Sequence, residues 1–109
     1  MAFDEALAAR VRGVLGGNEG LAEKRMFGGL AFLLNGNMCC GVHDDELILR
    51  LDPVKAEQAL SEPHVRVFDL TGRRMKGWVL VGPGGVATHD DLDSWVGRAA
   101  EFVGSLPVK

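Results

Sequence analysis

Arg25-Met26-Phe27-Gly28-Gly29-Leu30-Ala31-Phe32-Leu33-Leu34-Asn35-Gly36-Asn37-Met38-Cys39-Cys40-Gly41-Val42 is the stretch that decides the fold. Two apolar runs flank Asn35-Gly36. Asn-Gly is the strongest local hairpin signal, because both residues accept the positive φ that a tight type I′ turn imposes. The stretch therefore reads as two antiparallel strands. Gly28-Gly29 interrupts the first of them and is expected to be a bulge or a close backbone approach, in preference to a ligand lying on bare backbone.

Upstream, Phe3, Leu7, Val11, Val14 and Leu15 recur at the spacing of an amphipathic helix. Gly16-Gly17 is expected to stop it through a left-handed glycine. Downstream, His43-Asp44-Asp45-Glu46 is a polar turn leading into a third strand over 47–51. Asp52-Pro53 then starts a short helix, with aspartate as N-cap and proline in the first turn. Val54, Ala56, Ala59 and Leu60 form its apolar stripe, and Ser61-Glu62-Pro63 closes it. Residues 65–70 read as a fourth strand, 71–74 as a turn and 75–81 as a fifth strand. Thr88 caps a last helix whose stripe of Leu92, Trp95, Val96, Ala99, Phe102, Val103 and Leu106 ends at Pro107. The expected class is α+β: helix, three antiparallel strands, helix, two strands, helix.

With 109 residues the chain predicts a single domain over 1–109, large enough to bury a core without disulfide or metal staples. A 47% hydrophobic and 25% charged composition is that of a globular protein. The net charge of −3 argues against strong sequence-independent binding to a polyanion. No apolar run approaches the roughly 20 residues of a membrane span. The N-terminus has no basic region of a secretory signal, so the expected compartment is the cytoplasm.

The chemistry-bearing residues are few. Cys39 and Cys40 are candidate reactive thiols, but neighbours on a strand point to opposite faces, and buried packing is the preferred account. Residues 43–46 and the other histidines match no zinc spacing, so no metal is expected. Gly82-Pro83-Gly84-Gly85-Val86-Ala87 formally fits a dinucleotide fingerprint, yet no βαβ unit can follow it and Asp90 and Asp91 occupy the helix start. No cofactor is expected. Arg66, Arg73, Arg74 and Lys76 form the basic concentration, a candidate anion or nucleic-acid patch, with a solvated hairpin tip as the plainer account. No Ser/His/Asp order, carboxylate pair or nucleophile elbow gives an enzyme an anchor.

Glu46-Leu47-Ile48-Leu49-Arg50, Thr71-Gly72-Arg73-Arg74-Met75-Lys76-Gly77-Trp78-Val79 and Leu92-Asp93-Ser94-Trp95-Val96, together with the opening hairpin, resemble the blocks of the TfoX N-terminal domain family in the same order. The resemblance implies a small α+β domain similar to the secretion-chaperone-like group, and no catalytic residue set. In the competence regulators for which the family is named, a helical C-terminal domain follows this one. Here the sequence stops at Lys109, so a stand-alone domain is expected. The leading expectation is a regulatory protein-interaction module without catalytic activity. A nucleic-acid or transcription accessory protein using the basic tip is the second, and a cysteine-dependent redox enzyme or sensor the third. The central strands carry apolar residues on both faces, so helices gathered on one face would leave the other open. Leu33, Ile48, Val79 and Val81 are therefore candidate interface residues for a protein partner or a homodimer.

Overall fold

The computed structural model describes residues 3–26, 28–69 and 76–107. Helix α1, Glu5–Leu15, starts where the Asp4 side chain accepts a hydrogen bond from the Leu7 amide at 3.1 Å, and it buries Leu7, Ala8, Val11 and Leu15. Gly16 ends it in the right-handed region, with φ −59°, rather than the left-handed one. The stop comes from Asn18, whose backbone and side-chain N–H groups both donate to the Leu15 carbonyl.

The hairpin stretch holds one strand more than its sequence suggests. Strands β1, Leu21–Met26, and β2, Gly29–Leu34, pair antiparallel, with Met26 opposite Gly29 across the turn. Gly28, at φ 72°, serves that turn, and the glycine pair is not a bulge within a single strand. Strand β1 escapes the apolar pattern because Ala22, Glu23, Lys24 and Arg25 are all exposed at the sheet edge. The ladder with β2 holds it, not burial. Strand β3, Asn37–His43, follows the Asn-Gly turn, where Asn35 at φ 53° and Gly36 at φ 84° both take the left-handed conformation that the turn demands. Strand β4, Glu46–Arg50, completes the meander.

Helix α2, Pro53–Ala59, begins at Asp52, whose carboxylate accepts from the Val54 amide at 2.9 Å. Strand β5, Val65–Val67, lies on the outer edge, and β6, Trp78–Val81, inserts between β4 and β5. A short 3-10 helix, Pro83–Val86, leads to α3, His89–Gly104, capped by the Thr88 hydroxyl on the Asp91 amide. The described strands form one antiparallel sheet in the order β1-β2-β3-β4-β6-β5, an α+β fold.

The three helices gather on one face of this sheet. Leu7, Val11, Ala56, Ala59, Leu92 and Val96 pack there against Phe32, Leu47, Leu49, Val79 and Val81. The opposite face is not left open at its centre. Beyond Val67 the chain leaves the β5 ladder and lays Phe68 onto that face, where Phe68, Ile48 and Leu80 are at most 2% exposed and Met38 and Trp78 pack around them. The Phe68 and Trp78 rings sit 5.8 Å apart, tilted. Among the described residues, aromatic side chains cover this second apolar centre.

Candidate interaction surface around the second helix

Helix α2 grips the core by two small residues, Ala56 and Ala59. Val54 stands two positions before Ala56, about 200° around the helix, and so points outward. It is 66% exposed, the large hydrophobic side chain most open to solvent among the described residues. A cleft opens on each flank of this helix. Toward β6, a cleft of about 250 Å³ runs over Leu60, Trp78 and Val79, with Val54, Glu57 and Lys76 also lining it. Toward α3, a groove of about 530 Å³ runs over Leu51, Ala59 and Phe102 between Lys55, Glu62 and Arg98.

Stacked arginines stand at and near the groove, Arg98 in its lining and Arg50 against Phe102. Arg98 lies 4.4 Å from the Trp95 ring centroid and donates to Glu62 at 3.0 Å. Arg50 stands 5.7 Å from the Trp78 ring and 6.0 Å from that of Phe102. Such cation–π seats hold both charge and ring in place. The result is an apolar floor with a rim of mixed charge. A nucleophile with a base beside it is not part of this surface.

Of the expected basic patch, Arg73 and Arg74 lie outside the described residues. Arg66 reaches from β5 across β6 to Glu46 on β4. Its Nε donates at 2.9 Å, a second bond joins Nη2 to the other carboxylate oxygen, and Asp69 lies 3.8 Å away. These carboxylates, Glu46 above all, hold the Arg66 pKa above its usual value. Its fork is occupied. Lys76 belongs instead to the rim of the cleft beside α2. The other described arginines are engaged too: Arg10 on the Val86 carbonyl at 2.7 Å, Arg12 on Glu23 at 2.6 and 2.8 Å, and Arg25 on the Phe3 ring at 5.4 Å. Hydrogen bonding to Arg12 lowers the Glu23 pKa.

The four expected interface residues do not share a face. Val79 and Val81, at most 1% exposed, lie under the helices, while Ile48 is on the opposite face. Leu33, half-buried, lies opposite Met38 on that same opposite face.

Cys39 and Cys40 depart from strand alternation. Phe32 pairs with Cys40 and Leu33 with Met38, which leaves Cys39 as the extra residue of a β-bulge. The bulge brings both side chains into the main core cluster, each fully buried. Hydrogen bonding to Cys39 and then burial push the Cys40 thiol well above its ordinary pKa. Native protein at about pH 8 should therefore leave an aromatic disulfide reagent unreacted, with both buried thiols accessible to it only after denaturation. Rapid reaction of one thiol in the native state would contradict this.

The residues at 43–46 separate as well: Glu46 serves Arg66, and Asp44 occupies the turn at φ 56°. Among the described residues no group of three or more His, Cys, Asp or Glu side chains is gathered around a metal-sized site. No described helix is long and apolar enough to cross a membrane.

Sequence reasoning missed the surface around α2, although the phase of Val54 against Ala56 and Ala59 carried the signal. Comparison with curated proteins and with solved structures finds no match. The family model described as the TfoX N-terminal domain matches residues 14–103, most of the chain, and the chain belongs to the TfoX N-terminal domain family.

Proposed function

We propose that this chain is a regulatory protein-interaction module that acts by holding a partner rather than by turning over a substrate, and that α2 presents the surface it uses. The observation that carries this reading is Val54, solvent-exposed beside a cleft over Leu60 and Trp78 that Lys76 and Glu57 also line. An apolar anchor in such a cleft, beside charged contacts of both signs, is how short protein segments are commonly held. The partner that fits is a segment with an apolar side chain next to a charged one, the first to enter the cleft and the second to meet Lys76 or Glu57.

Selection of a displayed peptide library on the protein tests this. Enriched sequences should carry an apolar residue beside a charged one, and Val54→Lys should weaken their binding at least tenfold. An exposed substitution of this kind should move stability by no more than about 0.5 kcal/mol. A selection without enrichment, or binders indifferent to Val54→Lys, would refute the proposal. Duplex DNA at low salt, where electrostatic affinity is greatest, is the comparison arm. Saturable binding there would favour a nucleic-acid role instead.

A further inference from the structure

Strand β1 ends the sheet, and no described strand pairs with its outer side. Its backbone polarity can be read from one bond. The Asn35 amide donates to the Gly20 carbonyl at 3.1 Å, which makes Gly20 and Asn35 a hydrogen-bonded pair in the register of the β1–β2 ladder. Along an antiparallel ladder bonded and non-bonded pairs alternate. Ala22, Lys24 and Met26 therefore bond to β2, and Leu21, Glu23 and Arg25 turn their N–H and C=O groups to the outer edge. The strand contains no proline, its register with β2 is unbroken, and its four middle residues are exposed. Six residues of this kind are a template for another strand.

We propose that this edge pairs with β1 of a second copy of the chain, antiparallel, about a two-fold axis through Lys24. The two sheets then join into one. Outward-facing groups must meet one another, and a two-fold axis perpendicular to the sheet keeps each side chain on its own face. Centring on Glu23 would set two carboxylates against each other. Centring on Lys24 instead sets Glu23 opposite Arg25 of the second copy, and Arg25 opposite its Glu23, so two complementary cross-strand pairs form at once. Each Glu23 carboxylate is then shared between that Arg25 and the Arg12 of its own chain. On the other face Ala22 meets Met26 of the second copy. There it extends the row of Met38, Leu33 and Ala22 that the β3–β2–β1 register already builds. The contact against the arrangement is Lys24 opposite Lys24, two flexible stems whose charges repel at the axis. A seam of one strand pair is smaller than the roughly 1,200 Å² of a stable complex, so the dimer is weak and concentration-dependent. This association is independent of the surface around α2.

Sedimentation over a concentration series up to about 1 mM reads the outcome. Wild type should show a monomer–dimer equilibrium, and Arg25→Glu and Glu23→Arg should each raise its midpoint about tenfold. An equimolar mixture of those two variants should dimerise again, because positions 23 and 25 then carry opposite charges on the two chains. Lys24→Thr removes the like-charge contact and should tighten the dimer. It leaves the Arg12–Glu23 pair intact, so it carries the test if Glu23→Arg disturbs folding. A wild type that stays monomeric throughout, a dimer indifferent to Arg25→Glu, or one loosened by Lys24→Thr would overturn the proposal.

Discussion

Trp95→Ala is expected to lower the unfolding free energy by about 3–5 kcal/mol, the usual cost of deleting a large aromatic side chain from a core. Trp95 is 7% exposed and belongs to the main cluster together with Leu92, Val96 and Ala99 of α3. Its ring also seats Arg98 at 4.4 Å, and Arg98 holds Glu62 beyond α2. Truncation removes the buried area and leaves that guanidinium without its ring. Trp95→Phe keeps most of the apolar volume and should cost less than about 1.5 kcal/mol. Urea denaturation followed by circular dichroism measures both. A loss below about 1 kcal/mol for the alanine variant would mean that α3 holds to the sheet without this ring.

Gly29→Ala is the second large effect, at about 3 kcal/mol. A Cβ at this position would stand 2.2 Å from the Val42 carbonyl oxygen, 3.2 Å from its carbon and 3.3 Å from His43 Cα. All three are backbone atoms of the neighbouring strand, so no side-chain rotation relieves the clash. Strands β2 and β3 would have to part where Leu30 faces Val42. Gly28 one residue earlier has a different requirement: its φ of 72° lies in the left-handed region. Gly28→Ala should therefore cost only about 1–2 kcal/mol, a conformational penalty. Thermal melts of the two variants separate crowding from backbone strain. If Gly29→Ala melts like the wild type, β3 can step back and the close approach is not required.

How much of this was legible in the sequence follows from the range of each signal. The Asn35-Gly36 turn, the Asp52-Pro53 and Thr88 caps, and the stripes of α1 and α3 are written within a few residues. There backbone conformational preference and helical periodicity act without help from distant parts of the chain. Strand β1 was not legible as a strand, because a charged edge strand buries little and is held by a partner's hydrogen bonds. The Cys39-Cys40 bulge was equally hidden. Which face a strand residue takes depends on register, and one extra residue between Leu33 and Phe32 pairing turns both thiols into the core.

The candidate site divides in the same way. Arg66 reads as a free cation in one dimension because Glu46, twenty residues earlier, is brought to it only when β6 inserts between β4 and β5. The covering of Ile48 and Leu80 by Phe68 and Trp78 is also a product of chain crossing, not of local pattern. By itself the sequence determined the α+β class, the family and the positions of most turns and caps, because those rest on local backbone preference and on repeating apolar spacing. Only the tertiary structure decided which charges are spent on one another, which apolar face is covered, and that Val54 and the middle of β1 are exposed. Those outcomes depend on residues far apart in the chain arriving at the same place.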